Sequence, residues 1–154
     1  MTDKEQLNLM LILKHKEEIT QLMSKFAAEI SYRSGIHDNS KFSPEEFDVY
    51  SSNVQDFNKY DFDSEEEKRL RERVYPAAKA HQKRNRHHPE HFKNGIDDMN
   101  LIDLLEMICD WKSASSRAPG DSLRKGLPIL KEKYKISPQL YQILTNTIKD
   151  FNMY

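Results

Sequence analysis

Apolar residues recur at helical spacing along most of this 154-residue chain, and this periodicity constrains the fold more than any other feature. No stretch alternates between apolar and polar residues for long enough to indicate a sheet. The four glycines and six prolines are too few for a protein built from many short strands. The pattern therefore predicts an all-α fold, with five or six helices bundled in one domain over residues 1–154.

Capping signals suggest where these helices begin and end. Gly35 is a natural left-handed C-cap for the first helix, and Ser43 with Glu46 has the pattern of a capping box for the second. The predicted helices cover residues 3–34, 44–57, 65–87, 101–116, 121–135 and 138–151. We expect the residues of a metal site to lie within residues 3–117. The C-terminal helices, at residues 121–152, show no pattern of catalytic or metal-binding residues.

The composition excludes some classes of partner. The 24 Lys and Arg residues balance 25 Asp and Glu residues, which gives no reason to expect nucleic acid or a membrane surface. The longest apolar run, residues 9–13, is too short to span a bilayer, and no signal-peptide pattern is present. The single cysteine, Cys109, cannot form an intramolecular disulfide and is predicted to be buried. We therefore expect a cytoplasmic protein.

Two histidines fall on the apolar faces of different predicted helices. The stripe through Ile19 reaches His15 one turn earlier, and the stripe of the third helix continues to His81 and then His88. An unpaired imidazole on such a face would cost free energy, so these side chains are candidate metal ligands. A satisfied core histidine is the alternative at each position. His87 lies about 100° further round the helix and is predicted to contact substrate or border the site.

The fourth predicted helix carries its acidic residues on one narrow stripe. Asp103, Glu106 and Asp110 share this stripe, while apolar side chains cover most of the remaining circumference. A helix of this kind is typically central, which would bury the stripe beside a cation or a metal. A solvated acidic face fits the same pattern.

The dipeptide His37-Asp38 joins these observations. An imidazole and a carboxylate can bind one divalent ion, a donor set suited to Mn, Fe, Co, Ni or Zn. Inward histidines and an acidic stripe that converge on this pair would complete the site. Lys41 and the helix start at Ser43 add a candidate anion site beside it, although an uninvolved loop lysine fits equally well. A metal beside an anion site suits phosphoryl chemistry, since the metal polarises the phosphorus–oxygen bond and generates hydroxide at neutral pH.

The order His15, His37-Asp38, Asp110 on a helical scaffold resembles the HD superfamily of metal-dependent phosphohydrolases. The resemblance implies that these four residues bind one metal ion, with His81 and His88 available for a second. It also implies a phosphorylated substrate, most commonly a nucleotide. Other acidic residues could replace or supplement Asp110, namely Asp97, Asp98, Asp103 and Glu106.

The chain is also similar to an uncharacterised group of bacterial and phage proteins. The shared features are the string HDxSKFSxEEF from His37 to Phe47, the histidine cluster at residues 81–91 and the string EMxxDW from Glu106 to Trp111. This similarity covers most of the chain up to Trp111 and implies no particular substrate.

These features predict a phosphohydrolase that uses one or two divalent metal ions on a small phosphate ester. Lys41 and Arg117 would stabilise the phosphoryl charge, and Glu46 or Glu106 would accept a proton. A helical metal-binding or interaction protein without turnover is the alternative. A nucleic-acid-binding module based on the cations around His87 is disfavoured by the net charge and the lack of interleaved aromatic residues. An oligomer is compatible with the sequence.

Overall fold

A computed structural model describes residues 1–56, 59–61, 64–116 and 122–154. Every regular element in these ranges is helical, which confirms the predicted all-α fold. The α-helices are α1 (Asp3–Ile36), α2 (Pro44–Asn53), α3 (Glu65–Arg84), α4 (Leu101–Ser115), α5 (Leu123–Lys133) and α6 (Pro138–Asp150). Short 3-10 helices cover Asn39–Phe42, Pro89–His91 and Gly95–Asp98. In the described part of the chain, no helix has both the length and the apolar composition of a membrane span.

The chain divides into two compact units, Met1–Ile36 and His37–Tyr154. The first unit consists of α1, whose one buried residue is Arg33. The apolar side chains at positions 19, 22, 23, 26 and 30 are exposed, and so is His15. No other element of this unit covers the stripe, so the expectation that it and His15 face a core stays a prediction. Periodicity identifies residues that share a helix face, but it does not identify what covers that face.

The second unit has its apolar core between α4, α5 and α6. From α4, Met107, Ile108 and Trp111 pack into a cluster of buried residues. The remaining members of the cluster are Ile96, Leu123, Leu127, Leu130, Ile136, Leu144 and Ile148. Cys109 lies on the exposed side of α4, so the prediction of a buried thiol is wrong. The core fixes the orientation of α4 and thereby the direction in which its acidic stripe points.

Local signals explain some helix ends and not others. Ser64 caps α3, because its side chain accepts a hydrogen bond from the Glu67 backbone N–H at the start of the helix. Ser43 makes no side-chain cap bond at the start of α2, so the predicted capping box with Glu46 is wrong. α2 ends at Asn53, earlier than predicted, and the predicted end at residue 57 lies outside the described residues. The predicted helix start at residue 121 also lies outside them.

Candidate metal centre

The turn that follows α1 carries the His37-Asp38 pair. α1 continues through Gly35 to Ile36, so Gly35 is not its C-cap, and the left-handed residue is Asp38 with φ 59°. Aspartate tolerates this conformation better than most residues because its short polar side chain can bond locally. Lys41 closes the turn, with its backbone N–H donating to the Asp38 carbonyl at 2.8 Å and its Nζ lying 2.5 Å from Asp38 Oδ2.

The end of α3 supplies His81 and, through a turn, His87 and His88. His81 is buried on the apolar stripe, as predicted. α3 stops at Arg84 rather than near residue 87, since Asn85 is extended and its side chain donates to the His81 carbonyl at 2.7 Å. The turn that begins there brings both His87 and His88 back toward His81, with ring centroids 5.8 and 4.8 Å from its ring. His87 is thus a member of the cluster rather than a neighbour 100° away.

The acidic stripe of α4 faces these histidines. Asp103 is fully buried, and the side chains of Glu106 and Asp110 are only 14% and 18% exposed. This burial confirms that α4 is a central helix and not one with a solvated acidic face. Asp103 contacts the turn that follows α3, because it accepts hydrogen bonds from Arg86 Nε at 3.1 Å and Arg86 Nη2 at 2.9 Å.

Asp38 lies at the centre of the arrangement. Its Oδ1 atom is 3.0 Å from His81 Nε2 and 3.4 Å from His87 Nε2, and its Oδ2 atom is 3.5 Å from His37 Nε2. Within the described residues, two groups of side chains could hold a metal ion, with ligand atoms within 4.8 Å of one another. They are His81 with His87 and His88, and His37 with His87 and Asp110.

Several atoms at this centre are buried without a hydrogen bond. They include Asp38 Oδ1, His87 Nε2 and His88 Nε2. His81 Nε2 is close to Asp38 Oδ1, but the alignment does not make a hydrogen bond. Buried polar atoms without partners cost free energy unless something satisfies them. A cation among these donor atoms would do so, and the donor set therefore fits a metal ion.

Two glutamates bind the opposite nitrogen of the same rings. Glu106 Oε1 lies 2.8 Å from His37 Nδ1 and 3.0 Å from His87 Nδ1. Glu46 Oε2 lies 2.9 Å from His81 Nδ1. Since a carboxylate can only accept, each Nδ1 carries the proton in these contacts. The three imidazoles therefore present Nε2 to Asp38 and Nδ1–H to a glutamate.

The charges around the centre shift the pKa values of its members. The Asp110 carboxylate, together with that of Glu106, raises the pKa of His37 to about 9. Burial and the neighbouring imidazoles lower the pKa of His88 to about 3, which keeps this ring in the neutral, metal-binding form. Burial alone would raise the pKa of Asp38, but the imidazoles and the ammonium beside it lower the value below its usual range. Asp38 is therefore an ionised carboxylate.

Comparison with known proteins assigns the chain to a family. A model described as "Family of unknown function (DUF5662)" matches residues 4–150. The chain belongs to this family. The match includes every residue of the DUF5662 centre described above. No curated protein and no solved structure is significantly similar to the chain.

Five of the six predicted ligands lie together in the second unit of the DUF5662 chain: His37, Asp38, His81, His88 and Asp110. His15 is exposed on α1 and belongs to neither group, so its assignment as a ligand stays a prediction. Lys41 lies beside Asp38, whereas Arg117 lies outside the described residues. His87 was missed as a ligand because the helix was extended past Asn85. Pro89 disfavours helix only at His88, so it gives no signal for the end of α3 at Arg84.

Proposed function

We propose that the chain is a metal-dependent phosphohydrolase that acts on a small phosphate ester. The observation that carries this proposal is the convergence of three imidazole Nε2 atoms on one carboxylate, at 3.0 to 3.5 Å from the oxygens of Asp38. Imidazole nitrogen with carboxylate oxygen is a donor set for Mn, Fe, Co, Ni or Zn. The order of His37-Asp38 and Asp110 on a helical scaffold, which resembles the HD superfamily, supports the same chemistry.

One side of the centre is open and the other is closed. The side chains of His37, Asp38 and Asp110 are 29%, 18% and 18% exposed, whereas those of His81 and His87 are 5% and 2% exposed. Catalytic metal sites keep an open position for water or substrate, while structural sites are closed by protein ligands. The His37 side is therefore where we expect a substrate to bind.

Lys41 is suited to bind the phosphate on that side. Its Nζ is 2.5 Å from Asp38 Oδ2, and its side chain is 35% exposed. A bound divalent ion supplies a nucleophile at neutral pH and polarises the phosphorus–oxygen bond. Lys41 would exchange its contact with Asp38 for a phosphoryl oxygen and stabilise the negative charge that develops there. Arg117 remains a predicted second cation for the same charge.

The buried group of His81, His87 and His88 favours a second candidate function. Three neighbouring imidazoles, of which His87 is almost fully buried, fit a structural metal with no turnover. In that case the chain would bind metal and depend on it for stability without hydrolysing any ester. The open His37 side is the reason why we rank this function second.

A screen of phosphate esters tests the proposal. The chain, purified without chelator, is assayed with p-nitrophenyl phosphate and nucleoside monophosphates in Mn²⁺ or Co²⁺. Asp38→Asn is expected to lower kcat/KM by at least about 100-fold, since it removes a charged ligand. Asp48→Asn, an exposed aspartate on α2, is the matched control and should retain activity. Bound metal with no hydrolysis of any ester would support the structural candidate instead.

A further inference from the structure

Glu46 is a fully buried carboxylate whose hydrogen bonds are all made inside the protein. Its Oε2 atom accepts from Ser40 Oγ at 3.1 Å and lies 2.9 Å from His81 Nδ1. Its Oε1 atom accepts from Arg84 Nη1 at 3.1 Å. Elements on both sides of the centre, the turn after α1 and helix α3, are therefore joined through this side chain.

The contacts of Glu46 favour one arrangement of protons, although Ser40 Oγ and Asn85 Nδ2 also lie 3.0 Å from His81 Nδ1. Ser40 has a single hydroxyl proton, which it donates to Glu46, while Asn85 Nδ2 donates to Ser40 Oγ at 2.8 Å. The Glu46 carboxylate has no proton to give when it accepts from Arg84 and Ser40. His81 Nδ1 must then be the donor in its contact with Glu46. His81 Nε2 is then free of a proton in the neutral ring and lies 3.0 Å from Asp38 Oδ1.

In the neutral ring these two atoms are both acceptors, and a metal ion beside them would remove their repulsion. A metal ligand histidine commonly donates its other N–H to a carboxylate, which fixes both the tautomer and the direction of the ring. On this basis we propose that Glu46 is a positioning residue that holds His81 Nε2 toward the metal. This role rests on the proposed metal site and replaces the predicted role of Glu46 as a proton acceptor.

Burial supports positioning over proton transfer. Glu46 has no exposed surface, and His81, itself only 5% exposed, separates it from Asp38. A proton acceptor must reach the reacting group directly or through a water. Glu46 reaches the centre only through the imidazole, so its effect should appear in metal affinity and depend on His81.

The test is a double-mutant cycle with Zn²⁺ affinity as the readout, measured on the full chain by competition with a chelating dye. Glu46→Gln should weaken Zn²⁺ binding by about 10- to 100-fold. Glu45→Gln is the matched control, because Glu45 is the preceding residue, contacts the same Arg84 and is exposed. In a His81→Asn background, Glu46→Gln should cause no further loss. Glu46→Asp, which keeps the charge but shortens the side chain, replaces Glu46→Gln if that variant does not fold.

Histidine ring ¹⁵N spectra of the Zn²⁺-bound wild-type chain show which nitrogen of His81 carries the proton and which binds the metal. A purely structural role of Glu46 would not determine this assignment. The proposal expects His81 to be protonated at Nδ1 and bound through Nε2. Equal Zn²⁺ affinities for Glu46→Gln and Glu45→Gln would overturn it, and so would an equal loss in the His81→Asn background. Zn²⁺ binding with the expected dependence on Glu46 but no ester hydrolysis would overturn only the proposed enzyme activity. A wild-type chain that binds no Zn²⁺ would overturn both.

Discussion

The ion pair between Arg86 and Asp103 should determine the stability of the turn that carries His87 and His88. Asp103 is fully buried and accepts hydrogen bonds from three N–H groups: Arg86 Nε at 3.1 Å, Arg86 Nη2 at 2.9 Å and Asn100 N at 3.0 Å. Asp103→Asn keeps the shape of the side chain but turns one acceptor into a donor. At least one of these N–H groups then loses its partner.

The cost of this change follows from the contacts. A hydrogen bond to a charged group contributes about 1.5–3 kcal/mol. Asp103 also forms a capping box with Asn100 at the start of α4, and its partial loss adds about 0.5–2 kcal/mol. The Arg86 side chain is 49% exposed, so water replaces part of the lost contact. The contribution of the ion pair therefore lies at the lower end of the range for a hydrogen bond to a charged group. We therefore expect Asp103→Asn to lower the free energy of unfolding by about 2–4 kcal/mol, or the melting temperature by about 4–16 °C.

Thermal unfolding followed by circular dichroism at 222 nm, with chelator present, measures this effect. Asp97→Asn is the matched control, because Asp97 is exposed on the 3-10 helix that precedes α4. That control should stay within about 0.5 kcal/mol of wild type. If Asp103→Asn unfolded at the same temperature as Asp97→Asn, the pair would not hold the turn and the reasoning would be refuted.

Four further outcomes are expected. His88→Asn should lower the metal content measured by elemental analysis, while His91→Asn, whose ring contacts the Lys83 carbonyl outside both groups, should not. Lys41→Ala should lower kcat/KM for phosphate esters by about 10-fold or more with metal content unchanged, which kinetics beside metal analysis would check. In chelator, stability should fall as pH rises through about 9, because His37 has a raised pKa and loses its proton there. Stability should also fall as pH drops from about 6.5 toward 3, because His88 in the folded chain resists protonation. Urea unfolding across this pH range tests both expectations. His37→Asn should remove the loss of stability at high pH, and His88→Asn should remove the loss at low pH.

The sequence was sufficient to predict the part of the centre that depends on helical periodicity. His81 follows Leu70, Val74 and Ala77 on the buried face of α3, at spacings that continue the stripe. Asp110 lies on the stripe of α4 that faces the histidines, which is one of the two alternatives that the wide apolar arc of that helix left open. A face buried by tertiary packing has a fixed period, and the period can be read without coordinates.

Other parts of the centre depend on contacts that the sequence does not display. The position of His87 depends on where α3 ends, and Asn85 decides this through a side-chain bond to the His81 carbonyl. Glu46 has the spacing of a capping box with Ser43, but a buried imidazole and Arg84 compete for the same carboxylate. The long apolar stripe of α1 predicts a helix correctly, yet its exposure could not be predicted from spacing alone.

Anomalous diffraction from crystals grown with Mn²⁺ tests the central claim most directly. We expect a peak at the Mn edge within bonding distance of Asp38 and of Nε2 of at least one of His37, His81 and His87. The same experiment on Asp38→Asn should show that peak weakened or lost, while Asp48→Asn should leave it unchanged. A wild-type crystal with no peak at Asp38, or with Mn²⁺ bound only elsewhere on the chain, would show that this cluster is not a metal centre.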